Sequence, residues 1–206
     1  MIKGVICDFD QTLVDSSRIH LKSFLLPLKK RGINVKYEDV KIKFGKFDYL
    51  IFRELAPYFS EQEINEMIDE RKQILLNEAF RTKKMPYAEE LLKFLKNKTK
   101  IGLVTGTYKD VVYKTLKLFG WEKYFDAVVT REEVKKSRPD PEILNLVLKK
   151  LNIMPYEAIY IGDSIYDVLC SKNSNVKIIA LGNFKDADYK ARNLREVKNI
   201  LEELLP

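Results

Sequence analysis

Five short apolar segments rich in β-branched residues place the strongest constraint on how this 206-residue chain can fold. Each is too short for a helix and is typical of a strand buried in a parallel sheet. They comprise residues 5–7, 101–104, 127–129, 158–161 and 176–181. Helical patterns, with apolar residues at three- and four-residue spacing, separate them at residues 88–96, 109–119 and 141–151. This alternation of strand and helix predicts the α/β class.

The interval from residue 16 to residue 81 breaks this alternation, because it contains helical patterns alone. The patterns cover residues 19–30, 49–55 and 61–80. We therefore expect an inserted all-helical cap domain at 16–81, with residues 1–15 and 82–206 forming the α/β core. Since the insertion follows the first strand directly, it is expected to cover the carboxyl ends of the strands, where open α/β sheets bind ligands.

The net charge of +7 raises the question of a nucleic-acid partner. However, 13 of the 37 basic residues and 10 of the 30 acidic residues lie in 16–81, so the basic excess is spread along the chain. A diffuse excess is typical of a solvated surface, and we expect no nucleic-acid partner.

Neither a membrane nor an oxidising compartment is indicated by the sequence. No apolar run is long enough to span a bilayer, and Met1 leads almost at once into a strand rather than a signal peptide. Cys7 and Cys170 lie inside apolar segments, which favours buried free thiols over a disulfide. We expect a cytoplasmic protein with no membrane partner.

Two acidic pairs follow two of the predicted strands. Asp8 and Asp10 come after the first strand, and alternation along an extended chain directs both carboxylates to the same side. Asp163 and Asp167 come after the fourth, four residues apart, so that a helix beginning there places both on one face. For the first pair the alternative is a turn capped by aspartates, and for the second it is helix capping by Asp163. Together, the four carboxylates offer the hard oxygens that suit Mg²⁺.

Two weaker signals follow other segments. Thr105 and Gly106 end the second strand and offer a hydroxyl and backbone N–H groups to a phosphate. Arg138 precedes a helix beginning near Pro141, although a solvated basic loop is the better explanation of that segment when it is taken alone.

The order of these four motifs resembles the haloacid dehalogenase superfamily, and within it the phosphoglycolate phosphatase-like branch with a helical cap. The resemblance covers nearly the whole chain and includes residues 120–126, after the second motif. It implies a Rossmann-like core in which the first strand lies between the strands that carry the second and fourth motifs. The candidate residues then converge at one edge of the sheet.

The resemblance also implies the roles of the acidic residues. Asp8 attacks phosphorus and becomes an aspartyl phosphate, and Asp10 acts first as the acid and then as the base. Mg²⁺ is held by Asp8, the backbone carbonyl of Asp10 and Asp163, with Asp167 in support. Retention of Asp10 favours phosphoryl chemistry, since the dehalogenases of the superfamily lack an aspartate two residues after the nucleophile.

Further substrate contacts and one departure also come from the resemblance. Thr105 and Gly106 are expected to hold phosphate oxygens, and Lys46 of the cap to bind the anionic end of the substrate. The family usually has lysine where this chain has Arg138, so Arg138, Lys135 or Lys136 supplies the cation. His20 is interpreted as part of the surface of a cap helix, and Trp121 as core.

The sequence thus predicts a Mg²⁺-dependent phosphatase of a small phosphate monoester, with phosphoglycolate as the first candidate. Its partner is a small phosphorylated metabolite, and the protein is a monomer or a homodimer. The alternatives are a sugar-phosphate mutase that uses Asp8 and Asp10, a phosphonoacetaldehyde hydrolase that uses Lys46, and a non-catalytic nucleic-acid binder.

Overall fold

A six-stranded parallel sheet forms the centre of the computed structural model, which describes residues 1–205. The strands in chain order are β1 (Gly4–Asp8), β2 (Val14–Asp15), β3 (Lys83–Lys84), β4 (Lys100–Val104), β5 (Ala127–Val129), β6 (Ala158–Gly162), β7 (Lys177–Leu181) and β8 (Tyr189–Ala191). The sheet order is β5-β4-β1-β6-β7-β8, while β2 and β3 form a separate antiparallel pair. The expected position of β1 between β4 and β6 is confirmed.

The register of the central strands aligns their carboxyl ends. Cys7 lies opposite Leu103 on one side and Ile161 on the other, and Asp8 lies opposite Val104. Residues that follow β1, β4 and β6 therefore emerge together at one edge of the sheet, as is expected for ligand sites in open α/β folds.

Nine α-helices lie within the described part of the chain. They are α1 (Ser17–Lys30), α2 (Tyr37–Lys41), α3 (Asp48–Leu55), α4 (Glu61–Glu78), α5 (Ala88–Lys96), α6 (Lys109–Phe119), α7 (Glu142–Leu151), α8 (Ile165–Asn173) and α9 (Leu194–Leu204). Helices α5 to α9 alternate with the strands of the sheet, which makes the protein an α/β Rossmann-like fold. The five predicted strand segments correspond to β1 and to β4–β7.

Two apolar clusters cover the two faces of the sheet. Val5 and Cys7 belong to one cluster and Ile6 to the other, as the two-residue period of a strand requires. Trp121 is fully buried in the first cluster, as predicted. Burial of each large side chain contributes on the order of 1.5–3 kcal/mol, so the sheet edge that carries the site rests on a rigid support. Both cysteines are buried free thiols.

Helices α1 to α4 come between β2 and β3 in the chain and pack on one another. Phe24, Phe52 and Met67 lie at the centre of their own apolar cluster. Helix α4 begins with a capping box, in which the Ser60 hydroxyl accepts a hydrogen bond from the backbone N–H of Glu63. We call these four helices the cap, and its expected boundaries at residues 16 and 81 stay a prediction.

Ile19, Leu75 and Ala79 of the inserted segment pack against Tyr108 and Val111 of the core. The cap therefore rests directly on the sheet domain. Among residues 1–205, no helix combines the length and the apolar character needed to cross a membrane.

Candidate active site

Three carboxylates from distant parts of the chain meet beyond the ends of β1 and β6. Asp8 ends β1, Asp163 follows β6, and Asp167 lies in the first turn of α8. One oxygen of each lies within 4.8 Å of the others. Asp8 and Asp167 are buried, and Asp163 is half-buried. The structure thus brings together three of the four acidic side chains that the sequence singled out.

The turn from β6 into α8 explains how Asp167 reaches this position. A Cβ atom on Gly162 would lie 2.6 Å from the Cβ of Asp167, so only glycine fits there. Ser164 caps α8, accepting from the Asp167 backbone N–H at 3.2 Å, while Oδ2 of Asp167 accepts from the Ser164 N–H at 2.9 Å. The alternative that Asp163 caps this helix is therefore wrong, because the N-cap residue is Ser164.

Arg138 supplies the cation beside these carboxylates. Its Nη1 atom donates to Oδ1 of Asp8 at 2.7 Å, to the Tyr160 hydroxyl at 3.0 Å and to Oδ1 of Asp167. Lys136 instead pairs with Asp140 at 3.3 Å on the exposed surface, and Lys135 is also exposed. Of the three basic residues considered from the sequence, the structure places Arg138 at the acidic cluster.

The cluster holds more acidic than basic groups. Burial raises the pKa of Asp8 well above its usual value, and burial followed by the charge of Asp167 raises the pKa of Asp163 to about 7. Burial alone would lower the pKa of Arg138, but Asp167 and its other neighbours hold that pKa above its usual value. One guanidinium faces three carboxylates, so the cluster favours a further cation.

The hydrogen bonds of the cluster indicate which oxygens are available to a metal. Both oxygens of Asp167 accept from protein donors, namely Arg138, Tyr160 and Ser164. In Asp8 and in Asp163, by contrast, Oδ1 alone accepts a hydrogen bond, from Arg138 and from the Thr12 hydroxyl at 3.2 Å respectively. Within residues 1–205, the other carboxylate oxygen of each has no donor. These two carboxylate oxygens without donors, one on Asp8 and one on Asp163, fit a small hard cation such as Mg²⁺, with Asp167 orienting Arg138 beside them.

The Asp10 side chain is not part of this group of three carboxylates and is held by four donors. Oδ1 accepts from Ser16 at 2.6 Å and lies 3.0 Å from Nε2 of His20, while Oδ2 accepts from the hydroxyls of Thr105 at 3.1 Å and Thr107 at 2.8 Å. Burial alone would raise the pKa of Asp10, but the contacts with His20, Ser16 and Thr107 hold it well below its usual value. This arrangement leaves the backbone carbonyl of Asp10 as its predicted metal ligand.

A cavity of about 270 Å³ lies between the cap and the sheet edge. Asp8, Gly106 and Arg138 line it from the core, whereas the predicted phosphate contact Thr105 does not, since its hydroxyl is bonded to Asp10. Lys46 lines it from the cap with its ammonium group 2.6 Å from Glu54. Gly45 also lines the cavity from the cap. Its φ is +106°, and it lies against the ring of Tyr166.

A model of one protein family, the haloacid dehalogenase-like hydrolases, matches residues 5–181 and so includes every acidic residue of the site. The chain belongs to this family. As a haloacid dehalogenase-like protein it is a hydrolase, and its curated relatives indicate a phosphatase.

Relatives and solved structures agree with this family assignment. The chain is 34% identical over 180 residues to a PpaX protein of Clostridium perfringens, covering 86% of this chain and 82% of that protein. It is 31% identical over 179 residues to the pyrophosphatase PpaX of Bacillus velezensis, covering 85% and 81%. A haloacid dehalogenase-like protein of Bacteroides fragilis has the same fold, with a TM-score of 0.89, 23% identity and coverage of 96% and 100%.

His20 corrects one interpretation made from the sequence. It lies on α1 in the cap, as expected, but it is buried and contacts Asp10 of the hydrolase core instead of facing solvent. Its other ring nitrogen, Nδ1, lies 3.1 Å from Nη2 of Arg71. Arginine has no acceptor, so Nδ1 must accept, and the proton of a neutral His20 ring sits on Nε2 and is donated to Asp10.

Other residues around the site also lacked a usable sequence signal. Tyr160 lies inside an apolar strand, and Arg71 lies on a cap helix with no motif around it. Asp48 ends the cap segment 45–48 in which Lys46 was given a role, but nothing in that segment indicated a contact of Asp48 with the core. One available signal was the position of Thr107, two residues after Thr105, since alternation along an extended segment directs both toward one side.

Proposed function

We propose that this chain is a Mg²⁺-dependent phosphatase that transfers the phosphoryl group of a small phosphorylated metabolite to Asp8 and then to water. The observation that carries the proposal is the position of Asp8. It has one free carboxylate oxygen, lies beside Arg138 and Asp163, and lines a cavity that the cap covers. An oxygen nucleophile, a cation and a second acidic group are the parts that phosphoryl transfer requires.

The first step forms a bond between the free oxygen of Asp8 and phosphorus, while the bond to the leaving oxygen breaks. Arg138 stays between Asp8 and Asp167 and offsets the negative charge that gathers there. When bound, Mg²⁺ would supply further positive charge beside Asp8 and Asp163 and reduce the repulsion between carboxylate and phosphate. The Gly106 backbone lies at the cavity wall, where a phosphate oxygen would be held.

The second step needs a base near the aspartyl phosphate, and Asp10 supports that role. Its lowered pKa keeps it ionised at neutral pH, which is the form that accepts a proton from water. Water oxygen then bonds to phosphorus, the bond from phosphorus to Asp8 breaks, and phosphate leaves. In the first step the negative charge of the bound phosphate would oppose this lowering of the pKa of Asp10, so that Asp10 takes up a proton and gives it to the leaving oxygen.

The size of the cavity and the relatives together suggest the substrate. The cavity volume of about 270 Å³ is slightly below the usual range of ligand pockets, roughly 300–1,000 Å³, and so favours a small molecule. The Bacillus velezensis relative is a pyrophosphatase. We therefore place pyrophosphate first, and the phosphate monoester phosphoglycolate second. Lys46 at the cap wall would contact the anionic leaving group of either compound.

The test is phosphate release by the purified chain from a panel of pyrophosphate, phosphoglycolate and sugar phosphates. We expect turnover with Mg²⁺, none with a chelator, and a loss of at least about 10³-fold in Asp8→Asn. Release from none of the panel, or full activity of Asp8→Asn, would contradict the proposal. Isomerised sugar phosphate without net phosphate release would identify the mutase alternative.

A second variant tests the role of Asp10 through the leaving group. Pyrophosphate releases a phosphate ion, which is stable as an anion, whereas an alkyl ester releases an alkoxide that requires a proton. Asp10→Asn should therefore lose more kcat with phosphoglycolate than with pyrophosphate, by about tenfold or more. Equal losses with the two substrates would show that Asp10 does not protonate the leaving group.

A further inference from the structure

A buried carboxylate joins the cap to the core at a distance from the acidic cluster. Asp48 is the first residue of α3 in the cap, and only 3% of its surface is exposed to solvent. Its Oδ1 atom lies 2.6 Å from Nη1 of Arg131, and its Oδ2 atom accepts from the Tyr108 hydroxyl. Both partners belong to the core. The position of a buried carboxylate depends strongly on such partners, because removal of one partner leaves the negative charge of the carboxylate uncompensated in the interior.

Arg71 of α4 connects Asp48 to the active site. Its Nη1 atom lies 3.6 Å from Oδ2 of Asp48, while Nη2 donates to Nδ1 of His20 at 3.1 Å. The centre of the guanidinium group lies 4.2 Å from the centroid of the Phe24 ring, which fixes the plane of the group. Arg71 therefore contacts Asp48 with one end of a rigid fork and His20 with the other.

The contacts of Asp48 and of His20 with the core cross the same boundary between cap and core. A cap that moves away from the sheet, as entry of a substrate into the covered cavity requires, separates Asp48 from Arg131 and Tyr108. The same movement separates His20 from Asp10. Asp10 therefore has all four of its donors only while the cap rests on the core.

We infer that Asp48 and Arg71 are positioning residues that hold His20 against Asp10. They do so while the Asp48 carboxylate is bound to Arg131 and Tyr108 of the core. The inference rests on the proposed phosphatase function, since it concerns the orientation of the proton-transfer residue. Loss of the Tyr108 hydroxyl removes one of the two core contacts that hold the Asp48 carboxylate. Arg71 is then free to move toward Asp48 and away from Nδ1 of His20. His20 then has no partner that fixes its ring and tautomer, and Asp10 turns more freely.

A double-mutant cycle on the full-length chain tests this connection. Tyr108→Phe removes only the hydroxyl, and His20→Gln interrupts the path beyond Arg71. With Mg²⁺ and the best substrate of the panel, we expect Tyr108→Phe to lower kcat about tenfold and to change KM by less than about threefold. In the His20→Gln background, the same change should lower kcat by less than about twofold, because the path is already broken.

The cycle also excludes a shorter route. Tyr108 follows Thr107, whose hydroxyl donates to Asp10, so Tyr108→Phe could act through the backbone. An effect by that route persists in the His20→Gln background. Equal losses in the two backgrounds, or wild-type kcat in Tyr108→Phe, would therefore overturn the inference.

Two controls complete the experiment. Tyr113→Phe removes a hydroxyl from α6, where the side chain is 39% exposed, and should leave kcat and KM unchanged. Should Tyr108→Phe fail to fold, as judged by circular dichroism and thermal unfolding, Arg131→Gln replaces it in the same cycle. A wild-type chain that hydrolyses nothing in the panel contradicts the proposed function, whereas an active chain with an additive cycle contradicts only this inference.

Discussion

A single nitrogen of Arg138, Nη1, lies within hydrogen-bonding distance of three buried groups, the side chains of Asp8, Tyr160 and Asp167. The contact with Asp8 neutralises the nucleophile in the resting site, and the contact with Asp167 fixes the direction of the guanidinium. Nη1 carries two N–H groups, so its three acceptors share them, whereas an ammonium nitrogen has three N–H groups but lacks the planar fork and stands on a more flexible stem. Positive charge at this point, more than the shape of the group, is what the neighbouring carboxylates require.

At this position we predict unequal effects of two substitutions. Arg138→Lys should retain kcat within about tenfold of wild type, because the charge between Asp8 and Asp167 is kept. Arg138→Gln should lose about 10²- to 10³-fold, since it leaves buried carboxylates without a cation. Initial rates of phosphate release measure both. Comparable rates for the two variants would show that the charge of Arg138 is unimportant.

At the scale of elements, the close approach of cap loop and core depends on one glycine. Gly45 has a φ of +106°, and a Cβ atom there would lie 2.7 Å from Cδ2 of Tyr166. Gly32, at the end of α1, also has a positive φ, of +78°, but no atom of the described residues lies within 4 Å of its Cβ position. The two glycines share the backbone requirement and differ only in the contact with the core.

Gly45→Ala should therefore impair closure of the cap, whereas Gly32→Ala should not. Both variants bear the cost of a left-handed residue with a side chain, about 1 kcal/mol each. Only Gly45→Ala also displaces the Tyr166 ring, and we expect its KM to rise about tenfold above that of Gly32→Ala. Steady-state kinetics and thermal unfolding of both variants provide the comparison. An equal KM in the two variants would show that this contact does not affect substrate binding.

Elements with a continuous apolar pattern were predictable, and those without one were not. Residues 88–96 and 109–119 were predicted as helices with the bounds that α5 and α6 have. Strand β8 was missed because its three residues contain one buried side chain, Ala191. Helix α2 was missed because Val40 is its one buried residue. Short elements depend on their neighbours in the fold, which local sequence does not describe.

The same distinction applies to the site. Asp8 and Asp163 were expected to meet because the resemblance to the haloacid dehalogenase superfamily implies that their strands are neighbours in the sheet, and β1 and β6 are neighbours. The strand patterns alone do not give the order of the strands. His20, Arg71 and Asp48 lie on three different cap helices, and each meets its partners through tertiary packing alone. A single polar residue on a helix gives no local indication of whether it faces solvent or a buried carboxylate.

For the whole molecule, the acidic cluster is a source of instability unless a cation is bound. In the folded chain Asp163 has a pKa of about 7, against 3.8 for an ordinary aspartate. Between these pH values the folded chain keeps a proton that the unfolded chain has lost. Rising pH therefore favours the unfolded state across this window.

We predict that, in a chelator, the free energy of unfolding contributed by this site falls as the pH rises from about 4 to about 7. Asp163→Asn should lack this part of the slope, and Mg²⁺ should reduce it in the wild type, because an ion that binds only the folded state stabilises it. Urea unfolding of both proteins over this pH range, with and without Mg²⁺, provides the measurement. Identical slopes for the two proteins in chelator would contradict the prediction.

The place of β1 between β4 and β6 has a consequence for how the protein is made. The ribosome releases β1 before its two neighbours, which begin at residues 100 and 158, so the first strand lacks a partner on one or both sides until they have been made. A nascent chain in that state exposes strand edges that other chains can pair with. The active site is therefore completed in a late step of folding, because Asp163 comes to lie beside Asp8 only after β6, the strand that precedes Asp163, has joined the sheet.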